Sequence, residues 1–269
     1  MLIDGNKIAK SLLEKLTTEL LFLPAKKVCF VIFNENPVTE QFVKIKSLVA
    51  EQLGIIVTIE RHSDITTTET AVTIIETLGE KDYDGIVVQL PLPKGIDTQA
   101  VLDVIPRDKD IDVLSTALKE AYVDGKTGMV PPVAGAVYEI LQSQNVSFAN
   151  KKIVIVGQGR LVGIPVHLML KKVNVAHDIV DIKMNEAEKM KLLKNADIII
   201  SGTGVPRGIK PEMVKNSVML IDAGTSEQEG GKLVGDIDPT CEEKALFMTP
   251  VPGGVGPVTV ASLFKNLVL

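Results

Sequence analysis

Residues 151–165 read Lys151-Lys152-Ile153-Val154-Ile155-Val156-Gly157-Gln158-Gly159-Arg160-Leu161-Val162-Gly163-Ile164-Pro165. The run through Val156 is short, apolar and β-branched, the composition of a buried strand. Glycines then stand at 157, 159 and 163. Glycine at a strand-to-helix turn lets backbone amides approach a phosphate at a helix N-terminus. The spacing is G-x-G-x-x-x-G rather than G-x-G-x-x-G, and glycine also serves plain tight turns. The following residues favour the phosphate reading. A strand is expected over 178–182, and Asp181 lies 24 residues after Gly157, near the usual offset of a ribose-binding acid. Strands expected over 197–201 and 218–222 run into Gly202-Thr203-Gly204 and Ala223-Gly224. Strands that end in small residues leave an open crevice along one sheet edge, so this half reads as a dinucleotide domain.

The N-terminal half alternates in the same way. Ile8, Leu12, Leu13, Leu16 and Leu20 recur at helical period over 4–23, and Pro24 ends the run. A buried strand is expected over 27–33, a turn at Asn34-Glu35-Asn36-Pro37, a helix over 39–53 closed by Gly54, and a strand over 55–59. Thr66 or Thr67 can cap a helix that runs to Leu78. Strands alternating with helices imply βαβ units and a parallel sheet. The last strand of this half, 84–88, leads into Gln89-Leu90-Pro91-Leu92-Pro93. Proline removes a backbone donor and biases its predecessor to extended geometry. Gln89 is thus held at the carboxyl end of a strand by a stiff loop, where open α/β sheets bind ligands. The plainer alternative is a rigid edge loop in which Gln89 caps backbone.

Three other stretches carry polar groups of interest. Phe42 and Lys46 are four apart in the second expected helix and share a face. A lysine beside an aromatic ring and apolar walls can have a lowered pKa and carry protons; a solvated lysine is the alternative, and fits Lys44. Asp108-Lys109-Asp110-Ile111-Asp112-Val113 is either a solvated turn or a source of one carboxylate for paired N–H donors, with Asp112 the better candidate between two apolar neighbours. After a turn at 125–128, Pro131-Pro132 opens a helix through Leu141 and leads into the second domain. The tail Thr249-Pro250-Val251-Pro252-Gly253-Gly254-Val255-Gly256-Pro257-Val258-Thr259 is denser in proline and glycine than a flexible linker requires. Pro257 is expected to start a final helix to Leu267.

Composition narrows the functional classes. A chain of 269 residues with 45% hydrophobic and 23% charged residues has material for two domains. A net charge of -5 without a basic block argues against a nucleic-acid partner. No apolar run reaches the ~18 residues of a membrane span, and the first residues lack a signal-peptide profile. Three histidines and two cysteines, Cys29 and Cys241, suit no zinc spacing. No protein-held metal is expected, and the cysteines are expected as buried thiols in a reducing compartment.

Several of these stretches together resemble the bifunctional methylenetetrahydrofolate dehydrogenase/methenyltetrahydrofolate cyclohydrolase family. The resemblance rests on residues 84–93 (DGIVVQLPLP), 109–112 (KDID), 232–236 (KLVGD) and 249–259 (TPVPGGVGPVT), with Asp4-Gly5 and Asn36-Pro37 also fitting. It covers nearly the whole chain, in family order and spacing.

The resemblance implies an α/β fold of two domains with an active-site cleft between them. Residues 1–114 plus 248–269 would form the folate-binding catalytic domain, and 115–247 a Rossmann-type domain with a parallel sheet. It implies oxidation of 5,10-methylenetetrahydrofolate with NADP or NAD, then hydrolysis of the methenyl product to 10-formyltetrahydrofolate. Lys46 would manage proton and water, Gln89 would orient it, and Asp112 would grip the pterin ring. Phe42, Leu90, Pro91, Pro252, Gly253, Gly254 and Pro257 would line the folate site. Gly157, Gln158, Gly159, Arg160, Gly163, Asp181, Thr203, Gly204 and Thr259 would face the cofactor. A cis Leu90–Pro91 bond, a homodimer through the cofactor domain and a cytoplasmic location are further expectations.

The chain also departs from the family pattern. Phe42 stands where the family usually has Tyr, and Val113 where it usually has Gly. Pro131-Pro132-Val133-Ala134 replaces Pro-Cys-Thr-Pro, and Gly157-Gln158-Gly159 replaces Gly-Arg-Ser. The first two raise the alternative of a dehydrogenase with faded cyclohydrolase activity. The last removes partners for a 2′-phosphate and leans towards tolerance of NAD, unless Arg160 and Lys183 replace them. A non-catalytic folate- or nucleotide-binding relative is the alternative from another class; it gives no need for Lys46 and Gln89 together.

Overall fold

The computed structural model describes residues 1–34, 36–228 and 232–269; Glu35 of the expected turn lies outside the described residues. The backbone divides into two compact units, Leu12–Pro132 with Val260–Leu269, and Met1–Ser11 with Val133–Thr259. The elements up to residue 123 are α1 (Gly5–Leu20), β1 (Lys27–Ile32), α2 (Pro37–Gln52), β2 (Ile56–Arg61), α3 (Thr68–Gly79), β3 (Gly85–Val88), α4 (Thr98–Asp103) and α5 (Thr116–Val123).

In the first of these units the sheet order is β2-β1-β3, all parallel. β1 is central and packed on both faces, and its sequence is continuously apolar after Lys27 rather than alternating. Cys29 and Val31 pack on one side with Ile75, Ile86 and Val88. Val28, Phe30 and Ile32 pack on the other with Val87, Leu263 and Phe264. That division is the two-residue period of a strand sorting side chains to opposite faces. Asn36 caps α2 by accepting from Thr39 N at 2.9 Å, and Pro37 takes the first helical position. α2 therefore starts two residues before the expected helix. Thr67, one of the two residues expected to cap α3, is its cap. α4 and α5 carry no periodic signal long enough to be read from sequence.

The remaining α-helices and strands are α6 (Pro132–Ser143), β4 (Ile153–Val156), α7 (Gly163–Lys172), β5 (Asp178–Val180), α8 (Glu186–Asn195), β6 (Ile198–Ser201), β7 (Val218–Asp222), β8 (Ser226–Gln228), β9 (Lys232–Val234), β10 (Ala245–Met248) and α9 (Val255–Lys265). Five strands form a parallel sheet in the order β10-β7-β6-β4-β5, and β8 and β9 make a separate antiparallel pair. β4, β6 and β7 are buried throughout, so the carboxyl ends of three adjacent strands supply Gly157, Gly202 and Ala223. β5 ends at Val180, so Asp181 and Ile182 follow the strand instead of lying in it. Pro257 is the third residue of α9, not its first, a position in the first turn where a missing N–H costs nothing.

Candidate active site

β3 delivers Gln89 to the end of the smaller sheet, where Gln89 N donates to Val31 O at 2.8 Å. The side chain is only 6% exposed. Its Oε1 accepts from Lys46 Nζ at 3.2 Å, while its Nε2 is buried with no protein acceptor. α2 presents Lys46 for this bond, and Phe42 lies one helical turn earlier, half-buried. Burial of Lys46 pushes its pKa below the ordinary lysine value, and the Asp112 carboxylate opposes that shift. Burial raises the Asp112 pKa; Lys46 opposes this and Asp110 adds to it. In both groups burial outweighs the attraction of the opposite charge, so the two pKa values move towards each other. Proton transfer within an ammonium–carboxylate pair of this kind converts both partners together into a neutral amine and a neutral acid. Leu90 is half-buried and Pro91 exposed, joined by a cis peptide bond as the resemblance implies.

The acidic stretch around Asp112 divides between structural and candidate reactive groups. Lys109 Nζ donates to Gly79 O and Lys81 O, each at 2.7 Å. Asp110 is fully buried and accepts from Leu114 N and Ser115 N, the latter at 2.8 Å. Both fix the loop, which leaves Asp112 as the carboxylate coupled to Lys46. Val113 has φ +55° and a fully buried side chain packed with Leu118, Ala121 and Met129. A β-branched residue thus holds here the left-handed backbone that glycine adopts freely.

In the other unit the glycine turn links strand and helix closely. Gly157 has φ +98°, its N donates to Val180 O at 2.8 Å, and a Cβ there would stand 2.7 Å from Gly202 O. Gly163 has no room for a Cβ against the backbone of Gly157. α7 starts at Gly163 without a side-chain cap; Ile164 N donates to Gly159 O at 3.1 Å, Val166 N donates to Val162 O at 3.0 Å, and Pro165 has no N–H. Gln158 and Gly159 are exposed on the turn, and Arg160 is half-buried and partnered within the protein. Thr203 and Gly204 are exposed beyond β6. A carboxylate, Asp181, follows the neighbouring strand. These features fit a dinucleotide.

The tail loop belongs to this same unit. Gly5 N donates to Gly253 O at 2.9 Å, and a Cβ on Gly5 would collide with the Gly253–Gly254 backbone. Gly253 has φ +94°, Gly254 is buried, and Val251–Pro252 is a second cis bond. Pro257 is half-buried, and Thr259 Oγ1 donates to Val255 O at 3.0 Å within α9. The expected site residues therefore fall into two sets. Phe42, Lys46, Gln89, Leu90, Pro91 and Asp112 lie in one unit, and the cofactor and tail-loop residues in the other.

Residues 3–112 match the family model of the tetrahydrofolate dehydrogenase/cyclohydrolase catalytic domain, and 131–269 match that of its NAD(P)-binding domain. The chain belongs to this family. It is 33% identical over 271 residues to the bifunctional protein FolD of Listeria innocua, covering 98% of this chain and 95% of that one. The fold is similar to that of the bifunctional FolD dehydrogenase/cyclohydrolase of Campylobacter jejuni, with TM-score 0.93, 30% identity and coverage of 100% and 97%. It is also similar to the Trypanosoma brucei enzyme complexed with NADP and an inhibitor, with TM-score 0.92, 30% identity and coverage of 99% and 95%. Among the described residues no group of three or more His, Cys, Asp or Glu could hold a metal ion, and no helix is long and apolar enough to cross a membrane.

A second charged cluster in this family member was not singled out from the sequence. Asp222, at the end of β7, accepts from Gly224 N at 3.0 Å, Asp236 N at 3.1 Å and Ile237 N at 2.8 Å. Asp236 accepts from Ser201 Oγ at 2.8 Å and Thr203 N at 2.5 Å. Thr249 Oγ1 accepts from Asp222 N at 2.7 Å. The turn after β6, the Gly235-Asp236 segment and the head of the tail loop are thereby tied to one another. Gly224 and Gly235 have no room for a Cβ, because the Asp236 and Asp222 carboxylates fill that space. Burial, with Asp236 adding to it, pushes the Asp222 pKa up to about 7 against the three amide bonds that oppose the shift. The signal for this pair lay in the KLVGD stretch and in the acid that ends β7.

Proposed function

We propose that Lys46, Gln89 and Asp112 form the reaction centre of a 5,10-methylenetetrahydrofolate dehydrogenase and 5,10-methenyltetrahydrofolate cyclohydrolase. The observation that carries this reading is the Lys46–Gln89 bond across 43 residues of sequence, with Asp112 electrostatically coupled to the same lysine. NAD(P)⁺, when bound, supplies the hydride acceptor. The residues have to hold the folate with its methylene carbon presented to that acceptor, which is a positioning task. Asp112 accepts from ring N–H groups of the pterin. Gln89 uses Oε1 to aim Lys46, and its unpartnered Nε2 donates to a substrate acceptor.

In the second step water adds to the cationic methenyl carbon. Neutral Lys46 takes a proton from that water as the C–O bond forms. The resulting ammonium returns the proton to the leaving ring nitrogen as its C–N bond breaks, and the neutral lysine then takes the remaining hydroxyl proton as the C=O forms, giving 10-formyltetrahydrofolate and an ammonium that releases its proton to solvent. A lysine held below its ordinary pKa can serve in both states. Phe42 supplies a ring but no hydroxyl. It thereby supports a second reading, a dehydrogenase whose hydrolytic step is slow.

The turn at 157–163 takes the pyrophosphate, and Thr203 and Gly204 lie on the nicotinamide side. Thr259 completes the set proposed for the cofactor, and Pro252, Gly253, Gly254 and Pro257 that for the folate. Functionally, 1–114 with 248–269 serves the folate and 115–247 the dinucleotide. Membership of the family supports a homodimer and a cytoplasmic location; a monomer mass by light scattering would remove the former.

The deciding experiment supplies 5,10-methylenetetrahydrofolate with NAD⁺ or NADP⁺ and follows reduced cofactor, the methenyl species and 10-formyltetrahydrofolate. Reduction with formyl product is expected. Reduction with persistent methenyl accumulation selects the second reading, and no reduction by folded protein overturns both.

A further inference from the structure

We propose that the Asp181 carboxylate makes this chain selective for the dinucleotide with an unphosphorylated adenosine ribose, NAD⁺ over NADP⁺. The inference rests on the reading of the larger sheet as the cofactor domain.

β4 and β5 are paired in parallel with Val156 opposite Val180, and Gly157 N donates to Val180 O at 2.8 Å. The residue that follows β5 therefore stands beside the turn that takes the pyrophosphate. From such a turn the adenosine ribose extends to the end of the neighbouring strand, where an acid can accept from its 2′-hydroxyl. Asp181 occupies that place. One of its oxygens, Oδ1, accepts from Lys183 N at 2.7 Å, which fixes the side chain. A carboxylate has about four acceptor positions, so capacity remains for ribose hydroxyls.

A 2′-phosphate would meet the opposite of what it needs. It carries close to two negative charges and only acceptors, and it would be brought against a carboxylate. Against this the two segments set two cations, Arg160 and Lys183. Gln158, exposed on the turn, is neutral. Ile182, beside Asp181, is fully exposed and offers no side-chain donor. Arg160 is already partnered within the protein. Lys183 has its backbone N–H committed to Asp181, and its exposed ammonium is the one cation of the 181–183 segment.

The test is calorimetric titration of the whole chain with NAD⁺ and with NADP⁺, without folate, for the wild type, Asp181→Ser and Lys183→Ala. We expect wild-type NAD⁺ affinity at least tenfold above that for NADP⁺. Asp181→Ser should shrink that ratio tenfold or more, by weakening NAD⁺ and strengthening NADP⁺, with the thermal midpoint little changed. Lys183→Ala should leave the ratio within about twofold. Equal or tighter NADP⁺ binding by the wild type overturns the proposal, as does an unchanged ratio in folded Asp181→Ser. A Lys183→Ala variant that loses NADP⁺ binding selectively also overturns it, by assigning the phosphate to Lys183. Binding of neither dinucleotide removes the cofactor reading and this proposal with it. Tight NADP⁺ binding removes the proposal alone.

Discussion

Two clusters of buried charge stand at strand ends in this chain, and burial acts on them differently. Beyond β3, Lys46 faces Asp112, and opposite charges resist the shifts that burial imposes on each. Beyond β7, the charge near Asp222 is a second carboxylate, Asp236, and like charge adds to burial. In the first cluster the lysine is drawn below and the acid above its ordinary pKa, the condition that the proposed proton transfer uses. In the second, Asp222 takes up a proton more readily than an ordinary carboxyl, and both acids serve as acceptors that tie backbone segments together. The sign of the neighbouring charge thus decides whether it opposes or adds to the shift that burial imposes.

The largest test of this contrast removes the cation. Lys46→Ala should lower the hydrolytic rate about 10²–10⁴-fold, while a midpoint near that of the wild type would show that the residue is not architectural. Quenched-flow measurement of methenyl decay reads the rate directly. A loss under tenfold would leave the first cluster without its proposed chemistry.

The second test strikes the architectural pair. Asp236→Ala strands the buried Ser201 hydroxyl and the Thr203 amide. A lost partner of this kind costs about 1–3 kcal/mol. Urea denaturation should show a clear drop in stability. Loss of activity at unchanged stability would mean that Asp236 belongs with the reactive cluster instead.

A third test uses pH. Asp222 has a folded pKa of about 7, above the unfolded value of about 4. Between these values the folded state binds the additional proton. The stability it contributes is complete below about pH 4 and is lost as pH rises through about 7, with a slope of up to ~1.4 kcal/mol per pH unit. Asp222→Asn should flatten this stretch of the stability–pH curve. An identical slope in the variant would refute the assignment.

The smallest effect concerns Val113, next to Asp112. Left-handed backbone costs a side-chain-bearing residue roughly 1–2 kcal/mol, and burial of a valine side chain returns about 1.5–3 kcal/mol. Val113→Ala keeps the strain and loses apolar contact, whereas Val113→Gly releases the strain. The Gly variant should therefore be at least as stable as the Ala variant, inverting the usual order, in which Gly is worse by about 0.5–1 kcal/mol. Matched urea midpoints for the two variants decide it.

Much of this was legible in the sequence because buried parallel strands read as unbroken apolar runs. Lys27–Ile32 and Val218–Asp222 are examples. α4, of six residues, and the three-residue strands β8 and β9 were not, because such short pieces are held by their surroundings more than by their own pattern. The polar groups divide in the same way. Asp110 and Asp112 both lie next to apolar residues, and sequence could not say that Asp110 would be spent on Leu114 and Ser115. Asp222 and Asp236 looked like the end of a strand and part of a loop.

The sequence by itself determined that strands alternate with helices, that Gln89 follows a buried strand, and that a glycine turn precedes α7. Each depends on neighbours within a few residues, through backbone geometry and local burial. Only the tertiary structure decided that Lys46 meets Gln89, that Asp112 acts on that lysine, and that two distant acids share a buried network. Those outcomes depend on strand order and on the water each packed group loses. Neither quantity can be read from local sequence.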